Sequence, residues 1–172
     1  MGETEKAVSE WEGRAAVELT SSTADQVWPF LADFCKLHNL MHPYIDTCRQ
    51  IDGFPGQPGL IRYCALTGSS STSGGSESSI MWAHEKLLMI DAIQRCFSYE
   101  VLENNLGFKK YVATIAVSEI NGGTGCEIVW SFVANPVEGW TLDQLVSYID
   151  ACLKTIAKSI EEALQVEDQP TK

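Results

Sequence analysis

The sequence predicts an α+β fold: a curved antiparallel sheet wrapped around one long C-terminal helix, with two short helices after the first strand. Three observations predict it. After Tyr44, apolar residues recur at every second position in about six runs separated by turns rich in Gly, Pro and Asn. From Thr141 to about Val166 the period changes from two to 3.6. Two short helical patterns stand between the first alternating run and the second. A sheet of that size must bury its apolar face, and only the last helix is long enough to cover it. A curved sheet gripping one helix leaves space between them, so the architecture carries a pocket.

The elements follow in order. Residues 1–10 are polar and form a disordered tail; 11–166 form the folded domain; 167–172 form a second polar tail. Trp11 to Leu19 reads as a strand, with Ala15, Val17 and Leu19 on one face. Ser22 or Thr23 is placed to cap a helix on which Val27, Trp28, Leu31 and Phe34 share a stripe, with Pro29 suited only to its first turns. A second short helix covers Asp33 to Met41 and ends at His42-Pro43. Tyr44 to Ile51 is a strand closed by GFPGQPG. Two strands within Gly59 to Asp91 are joined by a Ser/Gly-rich loop, and Gln94 to Leu102 follows with Phe97, Tyr99 and Val101 on one face. Lys109 to Ile120 alternates again through Tyr111, Ala113, Ile115 and Val117. Asn121 to Gly125 is a hairpin connection, not a phosphate loop, since no Lys and no helix follow it. Cys126, Ile128, Trp130 and Phe132 face inward on the last strand. The final helix, about 38 Å long at 1.5 Å per residue, aligns Leu142, Leu145, Ile149, Cys152, Ile156, Ile160 and Ala163.

Composition narrows the function. With 12 basic and 23 acidic residues, the chain carries a net charge of −11, which argues against nucleic acid and anionic membrane surfaces. No apolar run approaches the roughly 18 residues of a membrane span. The opening MGETEKAVSEWEGR lacks the apolar core of a secretory signal, and Lys6 breaks the myristoylation pattern. The six cysteines form no C-x-x-C pair; they read as reduced core residues of a cytoplasmic protein, with a nucleophilic thiol as the alternative. His38 and His42 have the i, i+4 spacing of metal ligands but no third ligand nearby, so they read as surface or packing histidines and no metal or cofactor is expected. An oligomeric state is not encoded legibly.

The stretch from Gly59 to Asp91 carries the chemistry. Leu60, Arg62, Cys64 and Leu66 share one strand face, and Met81, Ala83, Glu85 and Leu87 share another. Each apolar face thus contains one charge. An ion facing a dry interior costs several kcal/mol unless it is paired or hydrogen-bonded. Arg62 and Glu85 therefore predict a polar focus inside an apolar cavity, the alternative being twisted or bulged strands that return the charges to solvent. His84 has the opposite parity and belongs to the outer face.

The stretches QVWPFLADFCKLHNLM, GLIRYCAL, MWAHEKLLMID, SYEVLEN, FKKYVATI, VWSF and TIAKSIEE, spread from Trp11 to Glu162, carry a resemblance. The chain resembles the helix-grip superfamily of birch-pollen allergens, polyketide cyclases, lipid-transfer START domains and abscisic-acid receptors. Within it, the chain is most similar to the lachrymatory-factor synthase group known from onion. The resemblance implies a helix-grip fold and a catalytic pair, Arg62 and Glu85. It also implies a cavity lined by Tyr99, Tyr111 and Trp130; Ile149 of the helix stripe is expected on the same cavity. Two departures stand out. The loop from Thr67 to Ser79 is longer and richer in Ser and Gly than in the onion protein, and RYVKG there reads RYCAL here.

Two functions follow from this resemblance. One is a cofactor-free isomerase that rearranges an alkenyl sulfenic acid to a thial S-oxide. Arg62 would hold the oxygen, Glu85 would move a proton from oxygen to carbon, and Tyr99 and Tyr111 would orient the substrate. The other is a noncatalytic carrier or receptor for an apolar or amphipathic metabolite, hormone or lipid. Arg62 would then anchor an acidic end, and the Ser/Gly loop would gate the mouth. The Ser-Gly-Leu-Pro gate of the abscisic-acid receptors is absent, and AHEKL echoes their latch only loosely. The loop is otherwise a flexible linker that could be phosphorylated.

Overall fold

The computed structural model of the chain describes residues 9–68 and 80–167. The expectations for the tails 1–8 and 168–172, and for the Ser69 to Ser78 loop as a linker or gate, lie outside the described residues. Within them the fold is the predicted one. Strands β1 (Trp11–Leu19), β2 (Thr47–Asp52), β3 (Ile61–Leu66), β4 (Met81–Asp91), β5 (Cys96–Asn104), β6 (Val112–Ile120) and β7 (Gly125–Ala134) form a curved, open antiparallel sheet. Its spatial order is β1-β7-β6-β5-β4-β3-β2. Helix α1 (Ala24–Ala32) and a 3-10 helix (Phe34–Asn39) follow β1, and α2 (Leu142–Glu167) closes the chain.

Helix starts are set by side chains the sequence displays. Thr23 accepts from Gln26 N while Gln26 Oε1 accepts from Thr23 N, a reciprocal cap that satisfies two otherwise unpaired donors. Thr141 and Gln144 repeat the arrangement at the start of α2. Leu145, Ile149, Cys152, Leu153, Ile156, Ala157 and Ile160 form the buried side of α2, which packs on β1 and β7. There the approach is close: a Cβ at Gly13 would stand 2.4 Å from the Phe132 ring and 2.9 Å from Val146. Glycine is what lets the helix cross β1 at that point.

Several boundaries differ from those read in the sequence. The second short helix is 3-10, not α, and shorter, because Lys36 leaves helical geometry inside it. β2 begins at Thr47 instead of Tyr44, since Tyr44 N and Ile45 N both donate to Met41 O and hold that segment in a turn. β5 begins after Arg95 and β6 after Lys110, both of which adopt positive φ (51° and 53°). Pro29 is the sixth residue of the nine in α1, deeper than a first-turn position. The α2 helix runs one residue beyond the expected domain end, to Glu167.

Candidate functional site

Two registers build the site. Arg62 of β3 lies directly opposite Glu85 of β4, so the pair meets across one rung of the ladder. The β4–β5 register shifts on either side of Glu85, between Ala83 and Glu85 and between Leu87 and Met89. These bulges do not turn the charges outward, as the alternative reading required: Arg62 is 3% exposed and Glu85 9%. Beyond Leu88 the parity inverts, leaving Leu87 buried and Leu88 and Met89 exposed.

Each nitrogen of the guanidinium has a partner in the protein. Nε donates to Glu85 Oε2 at 2.7 Å, Nη2 lies 2.5 Å from the same oxygen, and Nη1 donates to the Phe34 carbonyl at 2.6 Å. Its Cζ stands 3.7 Å from the centre of the Phe34 ring and 5.3 Å from that of Tyr99. Burial, the largest single effect, works against the Arg62 charge, but the Glu85 carboxylate together with Cys64, Cys48 and Tyr99 outweighs it and raises the arginine above its ordinary value. On the carboxylate the load is uneven. Oε2 takes every hydrogen bond given to Glu85 by the described residues, including a long one from the Cys64 thiol at 3.9 Å, and Oε1 takes none.

A cavity of about 450 Å³ lies between this part of the sheet and α2. Glu85, Tyr99, Tyr111, Trp130 and Ile149 line it, as do Cys64 and Cys152. Tyr111 OH accepts from Trp130 Nε1 at 3.2 Å. Burial raises both Tyr99 and Tyr111 above the ordinary phenol range, and the Glu85 charge adds to the effect; both stay neutral hydroxyls near pH 7. Arg62 is not on the cavity wall. Its three polar contacts go to Glu85 and the Phe34 carbonyl, so of the pair it is Glu85 that lines the cavity.

Other sequence candidates are placed elsewhere. His84 lies on the outer face with Trp82 and Tyr63, ring centres 5.1 and 5.7 Å away. His38 belongs to the 3-10 helix and His42 to the turn after it, so they do not share one continuous helix. Two participants were missed. The Phe34 carbonyl offers no sequence signal, because any residue has one. Cys48, opposite Cys64 in the β2–β3 register, was findable only once that register was known.

A curved sheet gripping a helix over an apolar cavity, with an arginine-backed carboxylate at its wall, defines a small-molecule-binding helix-grip protein. The chain belongs to the polyketide cyclase/dehydrase and lipid transport family, whose sequence pattern matches residues 11–165. Solved structures share the fold at low identity. The protein XoxI from Bacillus cereus is 19% identical with a TM-score of 0.70, the match covering 92% of this chain and 99% of that one. Ginseng major latex-like protein 151 from Panax ginseng is 20% identical with a TM-score of 0.67, covering 90% and 97%. An uncharacterised protein from Bacillus thuringiensis is 20% identical with a TM-score of 0.66, covering 87% and 98%.

Proposed function

We propose that the protein is a cofactor-free isomerase of the lachrymatory-factor synthase type, acting on a small alkenyl sulfenic acid. The observation that carries this reading is the asymmetry of Glu85. Arg62 holds Oε2, while Oε1 takes no hydrogen bond from the described residues, on a carboxylate that lines the cavity. A proton-transfer group needs one oxygen fixed and the other within reach of substrate.

In this mechanism Oε1 takes the S–O–H proton. The electron pair left on oxygen forms the S-oxide, a carbon–sulfur double bond forms, and the carbon–carbon double bond opens. Its distal carbon recovers the proton from Glu85, so the net change is one proton moved from oxygen to carbon. Arg62 is a positioning residue here: it orients the carboxylate and keeps a positive charge beside it. Tyr99 and Tyr111 supply neutral hydroxyls. A ligand ending in a carboxylate would instead meet the Glu85 carboxylate first, which disfavours the acidic-anchor form of the carrier reading.

One observation favours the second reading, a noncatalytic carrier of a larger apolar metabolite. A volume of about 450 Å³ is within the range of drug-sized ligand sites, roughly 300–1,000 Å³, and generous for a small sulfenic acid. The test is rearrangement of an alkenyl sulfenic acid generated in situ by a lyase, with wild type beside Glu85→Gln. We expect turnover by wild type and a loss of at least about 100-fold in the variant, with binding of an apolar fluorescent probe retained. Equal, background-level rates in both would reject the isomerase for this substrate and leave the carrier.

A further inference from the structure

β2 is the edge strand of the sheet, and its Cys48 faces Cys64 of β3 directly across the antiparallel ladder. Both are free thiols, and their Sγ atoms are 3.5 Å apart. Directly opposed residues in such a ladder have Cα separations of about 4.5–5.5 Å, inside the roughly 4.4–6.8 Å that a disulfide spans. Joining the sulfurs at about 2.05 Å therefore needs side-chain rotation and no rearrangement of the strands.

We propose that Cys48 and Cys64 are a redox-active dithiol that reduces a small organic hydroperoxide and closes to a cross-strand disulfide. The assignment does not depend on the isomerase reading.

Position and environment support it. Cys64 is on the wall of the apolar cavity, and Cys48 is only half-buried, so the pair can be approached from inside and from the sheet edge. Cys48 is not itself on the cavity wall, but the apolar surface around Cys64, whose sulfur is 3.5 Å from it, favours an organic hydroperoxide over a hydrated inorganic one. The hydrogen bond from Cys64 lowers the Cys48 thiol to about 6 against the opposing effect of burial, and the Arg62 guanidinium adds to the lowering. Donating that bond, together with burial, raises Cys64. One sulfur is thereby a thiolate near neutral pH and its neighbour keeps a proton, which suits an attacking and a resolving cysteine.

The steps balance. The Cys48 thiolate attacks the terminal oxygen of the hydroperoxide and the O–O bond breaks. The departing alkoxide takes up the proton that Cys48 had released, giving an alcohol and a sulfenic acid on Cys48. Cys64 sulfur then attacks Cys48 sulfur, the S–O bond breaks, and the hydroxide leaves as water with the Cys64 proton. Two thiols are oxidised by two electrons, and one hydroperoxide is reduced to one alcohol and one water. The one proton of Cys64 has Cys48 Sγ at 3.5 Å and, farther off, Glu85 Oε2 at 3.9 Å; the disulfide removes it, so the oxidation state is felt next to the cavity carboxylate.

The test uses the full chain, reduced and then treated with one equivalent of cumene hydroperoxide. Peptide mapping by mass spectrometry is expected to find a Cys48–Cys64 cross-link, the mass of two hydrogens lost, and one cumyl alcohol released per disulfide. Cys64→Ser should stop at a sulfenic acid on Cys48 that a dimedone-type reagent traps, and Cys48→Ser should consume the hydroperoxide about tenfold more slowly or less. Cys96→Ser, on a strand away from the pair, should behave as wild type. Oxidation scattered over several cysteines, a different pairing, or no alcohol release from the wild-type chain would overturn the proposal, whether or not the serine variants fold.

Discussion

At the β1–β7 end of the sheet, α2 lies so close that a side chain at Gly13 would meet the Phe132 ring at 2.4 Å. At the β3–β4–β5 end the same helix stands off and leaves about 450 Å³ open. The first region is dry: Leu19, Ile128, Leu153, Ile156 and Ile160 are fully buried and carry no polar side-chain atom. The second holds an ion pair, two opposed thiols and seven aromatic residues around the cavity. One sheet therefore uses non-directional apolar burial where it must be stable and directional charge pairing where it must present chemistry. The lesson is that the curvature of a single sheet can separate these tasks without a second domain.

The largest expected effect breaks the polar end. Arg62→Leu leaves the Glu85 carboxylate buried without its partner and should cost about 3–5 kcal/mol of stability. Changing both Arg62 and Glu85 to Leu should recover most of that loss, because no unpaired charge remains. Urea denaturation of wild type, single and double variants checks this. A double variant no more stable than the single would mean the damage is a packing defect and that the polar end differs little from the dry one.

Ile156→Ala tests the dry end. The side chain is 0% exposed, and the deletion should cost about 2–5 kcal/mol through lost burial and the cavity it leaves. No partner substitution should restore it. Binding of an apolar probe at the other end should stay within a few-fold of wild type, since Ile156 is not among the lining residues. A large drop in probe affinity would show that the two ends are mechanically coupled.

The smallest effect separates burial from hydrogen bonding. Asp46 sits near the polar end but is only half-buried; it accepts from Thr67 Oγ1 at 2.8 Å and Thr67 N at 3.1 Å, and from Thr47 Oγ1 at 2.9 Å. The Thr67 hydroxyl is the main reason its carboxyl lies below the usual range. With the folded value depressed, its stabilisation is present above the unfolded carboxylate range of about 4 and is lost as pH falls through the folded value. Asp46→Asn should therefore lower Tm slightly at neutral pH, with the difference from wild type vanishing in acid. A gap that persisted in acid would assign the effect to something other than the carboxylate's charge.

Much of this molecule was legible beforehand, and for a local reason. The pleat alternates side chains residue by residue, so the parity of Arg62 with Leu60 and Cys64, and of Glu85 with Ala83 and Leu87, could be read without knowing any long-range contact. The 3.6 period of α2 and the caps at Thr23 and Thr141 are local as well. The resemblance added Tyr99, Tyr111 and Trp130, which inner parity also indicated and which the structure brings to one cavity with Ile149. Boundaries were less legible where a backbone turn overrode an alternating pattern, as at Tyr44 and Ile45.

By itself, the sequence determined the order of elements, which faces turn inward and which two charges are buried, because these follow from periodicity and from the cost of burying an ion. Only the tertiary structure decided that Arg62 stands behind Glu85, held by the Phe34 carbonyl from 28 positions away in the chain. It also decided that Cys48 meets Cys64 and that one oxygen of Glu85 takes every hydrogen bond the described residues give it. The physical reason is that register and backbone hydrogen bonding between distant segments are collective. A carbonyl is the same group in every residue, and which one an arginine finds depends on how the whole chain closes.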